Sequence, residues 1–241
     1  MAEGIDEYAN LEFKCMIENN VSKGSIDLLP KNKSFVIHGV GLEVPDIAQM
    51  VSKGIGLSWA PRSNMSLYGY TAPAPVFHRM GVKIALGTDW LATGSMNMFR
   101  ELACVYILNS SYYGNYFKDQ TIFEMATING ALAARLENKL GSLANGKIAD
   151  IAAFRYDSKK GGIFGSVLKA GNTDVHYVMR SGKLLYGDAE IITAIKKDQN
   201  SGCEALNVCG SLKAICAEEE TGKKEYELNK DNNYPLFYCQ K

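Results

Sequence analysis

Asp89 closes an apolar run that starts at Val82, and His38 closes another that starts at Ser34. Runs of this length between turn residues read as short buried strands. A carboxylate and an imidazole delivered by strand ends can hold a divalent metal and move protons. Hydrolysis by metal-activated water is the chemistry such a pair serves. The chain holds only three histidines and no His-x-His pair. The pattern is therefore half of a metal-hydrolase site, and the expectation is that the other half lies before Met1.

The elements that must position these two residues alternate in type up to about residue 148. Glu7 to Asn20 carries a helical stripe of Tyr8, Leu11, Cys15 and Met16. Val44 to Lys53 repeats that period, with Pro45 suited to a first turn and Gly54 to the position just past the end. Ile55 to Trp59 reads as a strand running into a loop at Ala60 to Asn64. A short helix at Pro75 to Met80 leads into the strand that ends on Asp89. Further helices are expected at Met96 to Leu108, with Phe99, Leu102, Ala103 and Tyr106 in phase, and at Thr121 to Leu136. The second opens on Thr121-x-x-Glu124, the spacing of a capping box. Strand and helix in turn imply a parallel sheet covered by helices, an α/β arrangement.

After Gly146 the pattern changes. Ala149 to Phe154 is a strand, and Val175 to Tyr186 reads as a hairpin around Ser181-Gly182. Residues 157–174 read as looped, and the tail from Glu218 to Asn233 is charged and polar. The expected domains are 1–148, a β/α region, and 149–241, a mostly β subdomain with a polar tail.

Lys plus Arg equals Asp plus Glu, 26 of each, so no charge imbalance points to nucleic acid. No apolar stretch of about 20 residues exists to span a membrane, and the N-terminus is not signal-like. A cytoplasmic location is the default expectation. Cys15 and Cys104 fall on apolar helical patterns and read as small buried hydrophobes. Cys203, Cys209, Cys216 and Cys239 match no zinc spacing, and they read as unpaired thiols rather than a disulfide framework.

Five segments together resemble the amidohydrolase superfamily, metal-dependent hydrolases and deaminases on a (β/α)8 barrel. Met1-Ala2-Glu3-Gly4 is similar to the end of the fifth-strand His-x-x-Glu motif, and Phe35 to Gly39 to the sixth-strand histidine segment. Trp59 to Asn64, with Leu67-Tyr68-Gly69, resembles the seventh-strand loop of the deaminase and chlorohydrolase branch. Leu86-Gly87-Thr88-Asp89 resembles the eighth-strand aspartate motif. Ala126-Thr127, Asn129, Ala131, Gly141-Ser142-Leu143, Gly146-Lys147 and Ala149-Asp150 resemble the last barrel helix entering a small β domain. The resemblance covers roughly residues 1 to 187 and omits strands one to four.

The resemblance implies an α/β chain made of the C-terminal half of a TIM-like barrel followed by part of a small β-sandwich of the urease-like composite type. It implies a divalent metal, zinc first with iron or manganese as alternatives, on Asp89 with His38. Asp89 would accept the proton of the attacking water, His38 would hydrogen-bond the nucleophile or polarise the electrophile, and Glu3 would carry a proton to the leaving nitrogen. Arg62, Asn64 and Trp90 would line the substrate side, the substrate being a small heterocyclic amine or amide. The isolated chain would be inactive.

Taken singly, each residue has a plainer reading. An Asp after a strand can cap the next helix, a His ending a strand is commonly a hydrogen-bonded core residue, and the stem of Arg62 can cover a barrel rim. His78 and His176 fall away from strand ends and read as ordinary. The competing function is a non-catalytic half-barrel that scaffolds or self-associates. Exposed sheet edges make a homo-oligomer the expectation in either case, and a clean monomer in sedimentation would argue against it.

Overall fold

The computed structural model describes residues 1–17, 28–196, 202–230 and 239, so Glu18 to Asn20 of the expected first helix lie outside the described residues. The chain divides into two units, Met1–Ser142 and Leu143–Lys241.

The first unit alternates helix and strand. Its elements are α1 (Glu7–Ile17), β1 (Phe35–Ile37), α2 (Val44–Lys53), β2 (Gly56–Trp59), α3 (Pro61–Tyr68), α4 (Ala74–Arg79), β3 (Ile84–Leu86), α5 (Met98–Ser111), α6 (Asp119–Ala126) and α7 (Ile128–Ala133). The strands form a parallel sheet in the order β1-β2-β3, with Phe35 opposite Gly56 and Trp59 opposite Leu86. Leu57 and Trp59 of β2 and all of β3 are buried, as strands covered on both faces must be. Ile47 and Met50 of α2, Phe77 of α4, Leu102 and Val105 of α5, and Ile122 and Met125 of α6 are buried as well. Each fully buried side chain of this size contributes about 1.5–3 kcal/mol.

Local chemistry sets the ends of α2. Pro45 stands in its first turn, and the N–H of Glu43 donates to Asp46 Oδ2 at 2.9 Å. Gly54 takes φ +62 and donates to the carbonyls of Met50 and Val51, a left-handed cap that glycine adopts at little cost. Asn10 of α1 ties α1 to α2, donating to Asp46 Oδ2 at 2.6 Å.

Four expectations for this unit need correction. Ala60 to Asn64 is not a loop but the start of α3, because Pro61 occupies the one helical turn where proline is well suited. The expected Thr121–Leu136 helix is two helices. Thr127 breaks it with its hydroxyl donating back to Phe123 O at 2.9 Å, while Asn129 Nδ2 donates to Ile84 O of β3. Lys118 is the N-cap of α6, so Thr121 lies within the helix and forms no capping box. Cys15 is exposed rather than buried.

The second unit holds β4 (Ile151–Phe154), α8 (Gly162–Leu168), β5 (Val175–Arg180), β6 (Lys183–Asp188), α9 (Ala189–Ile195), β7 (Glu204–Val208), β8 (Ser211–Ile215), α10 (Glu218–Thr221) and α11 (Glu225–Lys230). Its strands form one antiparallel sheet in the order β4-β5-β6-β8-β7. Residues 157–174, expected as loop, contain α8. The four C-terminal cysteines, expected as separate thiols, are paired as Cys203–Cys216 and Cys209–Cys239. The β7–β8 hairpin sets Glu204 opposite Ile215, so the flanking Cys203 and Cys216 meet across it. Sequence spacing does not show a contact that strand pairing creates.

A buried charge cluster pins this sheet. Lys213, fully buried, donates its ammonium to Asp188 Oδ1 at 2.5 Å, Val175 O at 2.8 Å and Thr173 O at 3.0 Å. His176 Nδ1 donates to Asp188 Oδ2 at 2.7 Å, and Arg155 approaches the same oxygen at 3.4 Å. Burial alone would raise the pKa of Asp188, but hydrogen bonds from Lys213 and His176 outweigh it and hold the carboxyl below its ordinary value. A group depressed in the folded state stabilises above its unfolded pKa and loses that contribution as pH falls through the folded one. The melting temperature of the second unit is therefore expected to fall on acidification below about pH 4. In Asp188→Asn that acid-side loss should shrink, and equal acid profiles for the two proteins would remove the role given to Asp188.

Candidate active site

His38 follows β1 and Asp89 follows β3, so both stand at the C-terminal ends of parallel strands, where β/α folds of the barrel type gather their reactive groups. Both are also strained. His38 has φ +72 and Asp89 φ +58, left-handed values that non-glycine residues rarely adopt and that cost on the order of 1–3 kcal/mol each. Strain retained at two strand ends that face each other points to a site. Sequence reading had no means of seeing it.

The segment bearing Glu3 runs alongside. Gly39 and Gly41 donate their N–H groups to the carbonyls of Met1 and Ala2, and Ala2 N–H donates to Glu12 Oε2 at 2.8 Å. Glu3 is thereby set against His38, with its Oε2 3.2 Å from His38 Nε2. On the other side of the ring, Nδ1 lies 3.8 Å from Asp89 Oδ2. The donor atoms of Glu3, His38 and Asp89 all lie within 4.8 Å of one another. One imidazole nitrogen with two carboxylates is a donor set that fits zinc and other first-row divalent cations.

The remaining expected residues are placed differently from one another. Asn64, fully buried on α3, directs its side-chain amide at His38 Nδ1, 3.2 Å away. Arg62 is bound to its own surroundings. Its Nε donates to Ser95 Oγ at 3.0 Å, its Nη2 to Arg100 O at 3.2 Å and its backbone N–H to Glu101 Oε1 at 3.1 Å. Trp90 is 70% exposed, and its backbone N–H donates to Asp89 Oδ1 at 2.6 Å.

Two residues that the sequence reading missed belong to the same neighbourhood. Glu101 of α5 is completely buried and accepts from the Ser95 hydroxyl as well as from Arg62. Burial raises its pKa against those two hydrogen bonds, and the negative charge of Asp89 raises it further. Its clamp fixes the segment after β3 that carries Asp89, helped by Ser63 and Thr93, whose hydroxyls lie 3.0 Å apart. A charged residue in phase with Leu102 and Val105 was the available signal. Tyr68, at the end of α3, hydrogen-bonds Glu3; burial, then the Glu3 charge and that hydrogen bond, raise its phenol pKa. Within the first unit His78 pairs with Tyr116, and within the second His176 pairs with Asp188.

A sequence profile of the Amidohydrolase family matches residues 2–185. The chain belongs to the amidohydrolase family. Among relatives of this amidohydrolase chain, a 5-methylthioadenosine/S-adenosylhomocysteine deaminase of Teredinibacter turnerae is 37% identical over 120 residues, covering 48% of this chain and 27% of that protein. A deaminase of the same name from Pyrococcus abyssi is 29% identical over 193 residues, covering 74% and 44%. An adenosine deaminase structure from Xanthomonas campestris, with bound zinc, superposes with a TM-score of 0.60 at 21% identity, over 76% of this chain and 47% of that one. That likeness shows a shared mixed α/β fold. The chain spans less than half the length of each of these three proteins. No helix among the described residues is long and apolar enough to cross a membrane.

Proposed function

We propose that this chain carries the proton-handling half of an aminohydrolase site that removes an amino group from a small nitrogen heterocycle. The first unit is then the closing part of a (β/α)8 barrel, with β1, β2 and β3 as strands six to eight and Met1 to Glu3 as the end of the fifth, and the second is part of the small β-sandwich domain that accompanies it. The observation that supports this reading best is the convergence of Glu3, His38 and Asp89 at strand ends, within 4.8 Å of one another. The names of the deaminase relatives supply the substrate class, a purine nucleoside carrying an exocyclic amine.

Asp89 would hold the divalent cation, zinc by the donor set, with Glu3 and His38 around the same position. Such a cation, when bound, lowers the pKa of a water towards about 7. Asp89 accepts the proton that the water loses as it attacks the carbon bearing the amine. Glu3, beside His38 and bonded by Tyr68, moves a proton to the departing nitrogen, so that water and the amine leave as the hydroxylated, or keto, heterocycle and ammonia. His38 presents a ring nitrogen to the same space and orients the attacking oxygen. Trp90, open to solvent beside Asp89, and Arg62 are proposed to flank the substrate.

Ammonia release tests this reading. The chain joined to the N-terminal half of the Pyrococcus abyssi deaminase and loaded with zinc is expected to deaminate 5-methylthioadenosine. The chain alone is expected to release no ammonia, because its described residues gather three donors and two of them also handle protons. A folded, zinc-loaded chimera that releases none from any aminated purine would overturn the proposal.

A further inference from the structure

The side chain of Asn64 lies at the centre of a hydrogen-bonded chain that runs in one direction only. It begins at Trp59 Nε1, an indole N–H that can donate and never accept. Trp59 donates to Thr71 Oγ1 at 2.7 Å. The one hydroxyl proton of Thr71 is then free to donate onward, and it does so to Asn64 Oδ1 at 3.2 Å. With its oxygen facing Thr71, Asn64 must turn its NH2 group to His38, and Nδ2 lies 3.2 Å from His38 Nδ1. An amide NH2 is a donor alone, so Nδ1 has to accept. The ring proton of neutral His38 is thereby placed on Nε2, which faces Glu3 Oε2 at 3.2 Å. Trp59, Thr71, Asn64 and His38 are 0%, 4%, 0% and 8% exposed, which leaves little water to offer a substitute partner. The nearby carboxylate of Asp89 is 3.8 Å from Nδ1, too far to hold a proton there by hydrogen bonding.

We propose that Asn64 is a positioning residue that fixes His38 in the Nε2–H tautomer, with the direction set by the indole of Trp59 through Thr71. This inference takes the catalytic use of His38 from the proposed function, but the tautomer itself rests on the geometry of unit one. Its consequence for the reaction is that His38 meets Glu3 and the substrate space as a donor. The loop position of Asn64 pointed to the substrate, whereas its amide is turned to His38 and Thr71.

Nitrogen-15 NMR of the chain with labelled histidine reads this directly, recorded with a chelator present and about two units above the ordinary histidine pKa of ~6.5. Only three histidines contribute, and single His78→Gln and His176→Gln variants assign them. The expected spectrum gives His38 a pyridine-type Nδ1 and a pyrrole-type Nε2. His176, whose Nδ1 faces the Asp188 carboxylate, is expected to show the opposite arrangement and serves as an internal reference. In Asn64→Leu the two His38 signals are expected to move towards each other as both tautomers become populated, with the His176 signals unmoved. A pyrrole-type Nδ1 on His38 in the unaltered chain would overturn the proposal, whether or not the leucine variant folds. His38 signals unchanged in a folded Asn64→Leu chain would overturn it too. Neither result depends on turnover, so failure of the deaminase reading and failure of this one are separable.

Discussion

Asp89→Asn in the zinc-loaded chimera is expected to lower ammonia release by about a thousandfold or more while leaving the fold intact. General-base catalysis alone contributes about 10²–10⁴-fold, and the same carboxylate is a proposed metal ligand. Asparagine keeps the shape, and its Oδ1 can still accept the Trp90 N–H, so the segment after β3 keeps its local turn. What disappears is a charge and a proton acceptor 3.8 Å from His38. The measurement is kcat for 5-methylthioadenosine beside a thermal melt. A loss below tenfold with an unchanged melt would remove Asp89 from the chemistry and leave it as a turn residue of β3.

The second large effect is on stability. Lys213→Ala is expected to destabilise the second unit by about 3–5 kcal/mol, the usual outcome of removing one partner from a buried pair. Three acceptors lose their donor at once: Asp188 Oδ1, Val175 O and Thr173 O. For a unit of this size the melting temperature should fall by more than ~10 °C. Lys213→Met combined with Asp188→Leu removes both charges and should recover part of the loss, since replacing a buried pair by apolar groups is often neutral while the carbonyls of Val175 and Thr173 still lack their donor. Circular dichroism melts of the full chain separate these outcomes. If Lys213→Ala stays within ~1 kcal/mol of the unaltered chain, the cluster does not hold the sheet.

The strands of the first unit were legible as short apolar runs, and His38 and Asp89 could be placed because each follows one of them. Gly54 and Pro45 marked the ends of α2 for equally local reasons. The break at Thr127 was not legible, since a threonine hydroxyl bonding its own helix leaves the apolar period intact. Glu3 was found by its motif alone, and its position depends on backbone hydrogen bonds to Gly39 and Gly41, more than thirty residues away. Glu101, Thr71 and Trp59 act through contacts between elements. Their roles have no sequence period, and Trp59 entered the Trp59 to Asn64 motif with no role of its own. The Lys213–Asp188–His176 cluster joins β5, β6 and β8, so it existed for the reader only once the strand order was known.

Zinc titration of the unaltered chain and of Asp89→Asn, followed calorimetrically, bears most directly on the three-residue site. The expected result is a single weak site in the unaltered chain, because the described residues gather three donors at that position, and no detectable site in Asp89→Asn. Indistinguishable binding by the two proteins, or no zinc binding by the unaltered chain, would contradict the placement of the metal at Glu3, His38 and Asp89.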